Sequence, residues 1–284
     1  MKFSPGIQNF WFQISHFLLD SLVVFLVILR LNGWRFSNLL SFPILVGFIV
    51  GFSLVLFRLI WFLSHLKFQM LQALPDEWQF QVVVLAHYPL LNVSWLCEQT
   101  SILESLGFVQ LMDYKVEPDT GFARCFAHLH HYCFAEIGQI FGENGEAIFQ
   151  QSTIFSILEQ DWVVAAINRE VNQNEGISYI WRHPKVVITY KPNISLNEFF
   201  QVHLRFRQQI LHDLGITVST DVSWFAYRNR EQQATIYRKQ IMKQKPILLS
   251  MLEATLFELN PKSEWLGDYP KEAAKRRANH RLIS

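Results

Sequence analysis

The densest concentration of reactive side chains is the run Cys125-x-x-His128-x-His130-His131-x-Cys133. Thiolate and imidazole are the ligands zinc prefers, and a tetrahedral site needs four of them. If residues 123–134 form a strand, alternation puts Cys125, His131 and Cys133 on one face and His128 and His130 on the other. Three soft ligands on one face begin a metal site, with the fourth to come from elsewhere. Against this, the spacing matches none of the common zinc patterns, and a cysteine at alternate strand positions is more often a small core residue. Cys125, His131 and Cys133 are the metal candidates on chemistry alone.

A second group, His203, Arg205, Arg207, His212 and Asp213, follows a helix start at Ser195-Leu196-Asn197-Glu198. There a serine can accept from the backbone three residues on while the glutamate reaches back. His203 and Arg207 share a helix face, a pattern suited to acid–base or anion chemistry and equally to a polar face paired with carboxylates at a sheet end. The series Tyr227, Arg228, Arg230, Glu231, Arg238, Lys239 reads as a mixed-charge solvated face. The chain contains no G-x-x-x-x-G-K, G-x-G-x-x-G, G-x-S-x-G or H-E-x-x-H, which lowers the weight of the common nucleotide-binding, hydrolase and metalloprotease classes. No catalytic residue and no cofactor is named by these patterns.

The element that organises the rest is Leu39 to Phe57, LLSFPILVGFIVGFSLVLF, nineteen residues without a charge. As a helix it covers about 28 Å, close to the roughly 30 Å hydrocarbon thickness of a bilayer. The preceding run, Phe10 to Leu31, is interrupted by Gln13, Ser15, His16 and Asp20. With the Asn32-Gly33-Trp34-Arg35 connector it reads as the first arm of a hairpin, about 10–31 and 39–63, that crosses twice; an interfacial first helix is the alternative. Trp11 and Trp61 would share one interface, with Arg58 snorkelling beside them. Asp20 would lie near the midplane, either as a functional ionisable group or hydrogen-bonded to His16 one turn away. Gly47 and Gly51 form a small-xxx-small pair expected to pack the two helices of one chain together.

Charge divides the 284 residues sharply. Residues 1–67 hold five basic side chains (Lys2, Arg30, Arg35, Arg58, Lys67) and one acid, Asp20; the remainder holds 20 basic and 23 acidic, ordinary for a globular domain. A net charge of +1 gives no support for a nucleic-acid partner. Cys97, Cys125 and Cys133 are an odd set, which argues against a disulfide framework, and no cleavable signal is evident. The expectation is an integral membrane protein whose soluble domain is cytoplasmic.

After a helical linker, 68–81, the domain spans 82–270. A short apolar run at 82–85 and a helix over 92–106 come first. Strand-like runs follow at 109–116, 123–141, 147–158, 162–169, 177–181 and 186–190, separated by turn signals such as Asn144-Gly145. Links this short make the sheet mainly antiparallel. Helices from Ser195 to Gly215 and from about Asp221 to Leu259, broken at Pro246, complete an α+β fold: a transmembrane hairpin, a five- or six-stranded sheet, and C-terminal helices on one sheet face. The basic tail 271–284 is either frayed or held against lipid headgroups.

The leading functional expectation is a membrane-anchored, non-enzymatic protein acting through protein or lipid contacts, with the bilayer and a protein partner or second copy as partners. The alternatives are a membrane-bound enzyme using His128, His130, His131 or His203 with a metal, and a carrier holding a hydrophobic ligand between sheet and helices.

Overall fold

The structure is a computed structural model that describes residues 4–31, 42–85, 88, 91–117, 121–141, 147–171 and 175–283. The connector at 32–35 and the Asn144-Gly145 turn lie outside the described residues. The chain forms two compact units, residues 1–74, 173–181 and 239–260, and residues 75–172, 182–238 and 261–284. This division differs from the expected cut near residue 67: two segments distant in sequence join the N-terminal helices.

The first unit contains α1 (Pro5–Leu31), α2 (Phe42–Ala73), α4 (Gly176–Ile180), the last residues of α6 (Trp224–Gln244) and α7 (Ile247–Leu259). Proline at the first position of α1 suits a helix start, where its missing N–H is not needed. Pro75 follows the end of α2, and Pro246 separates α6 from α7. Within α1, Pro5–Val27, and within α2, Ile49–Ala73, are long and apolar enough to cross a bilayer. The start of α1 packs inside protein: Ile7 and Phe10 are buried with Ile180, Ile247, Met251 and Ala254. The Ser4 N–H donates to buried Glu258 at 2.8 Å, tying the head of α1 to α7. Leu18, Leu22, Val23 and Leu26 of α1 and Ile49, Val50, Leu54 and Phe57 of α2 are exposed, a surface water does not favour.

Asp20 pairs not with His16 but with Arg58 of α2, at 3.3 Å. The Arg58 guanidinium also lies over the Phe17 ring, while His16 stands edge-on to Phe12. The glycine pair acts asymmetrically. A Cβ on Gly51 would come within 2.7 Å of Val24 Cγ1, whereas one on Gly47 would meet nothing within 4 Å. Gly51→Ile should therefore force the two helices apart and cost about 1–3 kcal/mol, while Gly47→Ala should be neutral or slightly stabilising. Thermal unfolding of the detergent-solubilised chain checks this; equal effects at both positions would contradict close packing at Gly51.

Among the described residues the second unit is built on a sheet of eight strands, more than the five or six expected, in sequential order: β1 (Gln79–Val82), β2 (Val109–Glu117), β3 (Phe122–His128), β4 (Cys133–Phe141), β5 (Ala147–Ile157), β6 (Val163–Ile167), β7 (Val186–Tyr190) and β8 (Glu264–Trp265). Every neighbouring pair is antiparallel except β6 and β7. The expected strand at 177–181 is the short helix α4, so the chain between β6 and β7 is long enough for the crossover that parallel pairing requires. The run 123–141 is not one strand but the β3–β4 hairpin. Its turn lacks glycine and uses Tyr132 at φ 49° instead, supported by the His131 N–H donating to His128 Nδ1 at 3.2 Å. The last part of 68–81 is edge strand β1 rather than linker.

Alternation divides the sheet into two faces. Phe122, Phe126, Ala135 and Ile137 bury one face against α3 (Val93–Ser105) and α5 (Leu196–Leu214) through Leu96, Leu103, Phe199 and Phe200. Val164, Val187 and Ile210 extend that side to Tyr269 and Ala273 of α8 (Tyr269–Ile283). The basic tail is thus a docked helix. The opposite face carries Tyr114, Cys125, Ala127, Phe134, Phe155 and Ala165 and packs on Tyr227 and Trp224 of α6. Helices accordingly cover both faces, not one. The serine half of the capping expectation holds: Ser195 Oγ accepts from the Glu198 N–H at 3.3 Å. Gly215 ends α5 at φ 61°, where a Cβ would run into the Arg276 guanidinium.

Candidate functional site

The face that packs on α6 is hollow at its centre, and the register explains why. Ala123 of β3 stands directly opposite Gly138 of β4, Glu136 opposite Thr153 of β5, and Phe155 opposite Ala165 of β6. Small residues at Gly121, Ala123, Gly138 and Ala165 leave the strands bare where neighbouring positions carry rings. The result is a cavity of about 390 Å³ walled by Trp78, Phe80, Phe155, Ile167, Val186 and Ile188. That is within the size range of small-molecule sites, which combine apolar walls with a few placed polar groups.

The polar groups come from β2, β4 and α6. Glu136 Oε2 accepts from the Tyr114 hydroxyl at 2.6 Å and the Tyr227 hydroxyl at 2.5 Å, and the two hydroxyls touch each other. Both donors converge on Oε2, which leaves Oε1 as an acceptor toward an occupant. Burial pushes Glu136 above the usual carboxylate range, opposed by the two hydroxyls. Burial and the nearby Glu136 charge push both tyrosines well above their ordinary value, so they remain protonated donors. One turn further along α6, Arg230 pairs with Glu231. Burial works to raise Glu231, but Arg230 and Arg238 outweigh it and hold the carboxylate below its usual range. The cavity therefore has aromatic and aliphatic walls, a hydroxyl-braced carboxyl group, and two guanidiniums that share the Glu231 carboxylate. It can hold an apolar body and accept from a donor at Glu136.

Comparison with known proteins finds no matching family model, no matching curated protein and no matching solved structure. The functional reading therefore stands on the geometry.

The residues singled out by chemistry lie elsewhere. Cys125 faces α6 and Cys133 faces α5, in separate apolar clusters on opposite sides of the sheet, so the hairpin does not bring these two metal candidates together. Burial pushes both thiols up, Cys133 to about 12. His131 is exposed in the turn between them. His128 is buried against Phe108 and Phe200, with ring centroids at 5.0 and 5.4 Å, and burial, joined by His131, holds it below the usual histidine value. Among the described residues no cluster of three or more His, Cys, Asp or Glu side chains is arranged to hold a metal.

His203 and Arg207 are brought together, deep in the α5 side of the sheet. The hydroxyl of Ser156 lies 2.9 Å from His203 Nε2 and accepts from Arg207 Nη1 at 3.1 Å, while the same guanidinium nitrogen donates to the His131 carbonyl. Ser156 and His203 are both fully buried, so this contact has the distance of a nucleophile–base pair without access for a substrate. The expected carboxylate partners are a hydroxyl and a carbonyl instead. Asp213 accepts from the Tyr269 hydroxyl at 2.5 Å and docks α8.

Sequence reasoning missed the cavity residues. Tyr227, Arg230, Glu231 and Arg238, which read as a solvated face, line the cavity with Glu136 and Tyr114. The available signal was the spacing of Trp224, Tyr227 and Glu231, which share one helix face, together with the small residues Ala123 and Gly138 inside strands otherwise rich in bulky side chains.

Proposed function

We propose that this chain is a membrane-anchored, non-enzymatic binding protein. The α1–α2 hairpin sits in the bilayer, and the sheet unit holds a small, largely apolar molecule with a polar end in the cavity between β2–β7 and α6. The observation that carries this reading is the cavity itself, apolar walls around the Tyr114–Glu136–Tyr227 cluster. A bilayer partner is supported by the length and apolar exposure of α1 and α2, and a molecule of this class would be concentrated in the adjoining lipid.

The test is mass spectrometry of organic extracts from full-length protein purified in detergent, beside a Thr153→Trp variant. Thr153 is only partly buried on the cavity face of β5, and tryptophan suits a strand, so the change fills the cavity while leaving the fold intact. A compound retained near stoichiometrically by the natural sequence and reduced at least tenfold in the variant is the expected result. If both proteins retain the same compounds in the same amounts, with matching melting temperatures, the cavity is not a binding site.

A further inference from the structure

Helix α7 is apolar on two sides. Ile247, Met251 and Ala254 are buried with Ile7 and Phe10 of α1, and Phe257 stacks on Tyr179 of α4 with ring centroids 4.6 Å apart. At about 100° per residue these positions fill one side of the helix. Leu248, Leu249, Leu252, Leu256 and Leu259 fall within a ~100° arc on the other side and are 40–57% exposed. Within α7 the charge nearest that arc is Glu253, held by Lys245. A helix that is apolar all round belongs in a core or a membrane, and the core accounts for one side only.

Its place in the unit indicates what meets the other side. The residues of α2 packed against the cluster that holds Ile247, Met251 and Ala254 are Phe62, Leu63, Leu66 and Met70, beyond the uncharged stretch ending at Phe57, and those of α1 in or against it are Ile7, Phe10, Trp11 and Ile14, before the exposed leucines. The Trp11 Nε1–H donates to Thr255 Oγ1 at 2.8 Å. Lys67 Nζ donates to the carbonyls of Lys243 and Lys245, which brings three lysine residues together at the start of α7. Tryptophan and lysine at one level are the markers of the membrane–water boundary, and α7 lies at that level.

We infer that α7 is an interfacial membrane helix whose leucine arc rests among the acyl chains beside the hairpin, with Lys67, Lys243 and Lys245 at the headgroups. The inference rests on the membrane-anchored reading and adds a third membrane element from a distant part of the chain. Interfacial helices of this kind bind by their buried apolar area together with attraction of their basic groups to anionic lipid.

The experiment uses the full chain with Cys97→Ser, reconstituted in vesicles of phosphatidylcholine and phosphatidylglycerol. Single cysteines at Leu252, Leu256, Phe57 or Glu264 carry a nitrobenzoxadiazole fluorophore. Cys125 and Cys133 are buried and free, and the Cys97→Ser parent measures any labelling of them. Lipids bearing a nitroxide near the headgroup end of the acyl chain should quench the Leu252 and Leu256 probes at least twofold more than the Glu264 probe. Phe57, at the end of the uncharged stretch, should be quenched at least as strongly as the two leucine probes. Quenching at Phe57 without quenching at Leu252 and Leu256 overturns the inference and leaves the anchor standing; quenching at none of the three overturns both. Blue-shifted emission at Leu252 that is insensitive to lipid nitroxides but rises with protein density would assign the arc to a second copy of the chain, and would also overturn it.

Discussion

Replacing Asp113 with alanine is expected to destabilise the chain by about 3–5 kcal/mol, because it strands a buried guanidinium. Arg124 of β3 reaches across to Asp113 of β2 with Nε at 2.6 Å from one carboxylate oxygen and Nη2 at 2.7 Å from the other, a two-pronged contact. Its remaining Nη1 donates to Thr100 Oγ1 of α3 at 2.9 Å, so one side chain fastens two strands to a helix. The side chains of Arg124 and Asp113 are 8% and 14% exposed, so water does little to compensate a lost partner. The measurement is urea unfolding of the detergent-solubilised chain followed by tryptophan fluorescence. Replacing both residues with apolar ones, Asp113→Leu with Arg124→Met, should recover most of the loss, since the cost lies in the unpaired charge. A loss below about 1 kcal/mol for Asp113→Ala would place the pair in the surface class and contradict its role as a fastener.

Acid should weaken the fold through His203. Burial, reinforced by the Arg207 charge, holds this imidazole at about 3, against about 6.5 in an unfolded chain. A basic group with a depressed folded value contributes fully above its unfolded value. Below that, the unfolded state binds a proton that the folded state refuses, and stability falls as pH drops from about 6.5 toward 3. The slope is about 1.4 kcal/mol per pH unit, and the whole window amounts to roughly 4–5 kcal/mol. His128 and His183 are shifted the same way, chiefly by burial. In His203→Gln, whose amide oxygen can still accept from Ser156, the decline in unfolding free energy between pH 6.5 and 4.5 should be shallower by about 2–3 kcal/mol. An unchanged slope would mean that His203 takes up its proton in the folded state.

These two clusters show how differently parts of the molecule could be read in advance. The helix from Ser195 to Gly215 was legible because its start and stop are local chemistry: a serine oxygen for an orphan amide, and a glycine for a left-handed residue. The apolar helices were legible for the same reason, since long runs almost free of charge constrain themselves. The β3–β4 turn was not, because it closes on Tyr132 and a histidine contact rather than on glycine or asparagine. The parallel β6–β7 pair was hidden by α4, whose five residues, Gly-Ile-Ser-Tyr-Ile, are as strand-like in composition as any real strand here. The cavity was hidden more deeply, because a hollow is a property of several strands in register.

Local chemistry along the chain therefore sets what each segment can be alone: two membrane-length helices, a capped α5, strands with alternating faces, and an α+β composition. Tertiary structure decided what those segments mean to one another. Register set Ala123 against Gly138 and Glu136 against Thr153, and so placed a space beneath Tyr227. Packing sent Cys125 and Cys133 to opposite faces, exchanged His16 for Arg58 as the partner of Asp20, and joined α7 to helices more than 170 residues earlier in the chain. Local signals act over one or two helical turns, whereas the site is assembled from β2–β7 and α6, whose relative placement depends on which side chains fit together.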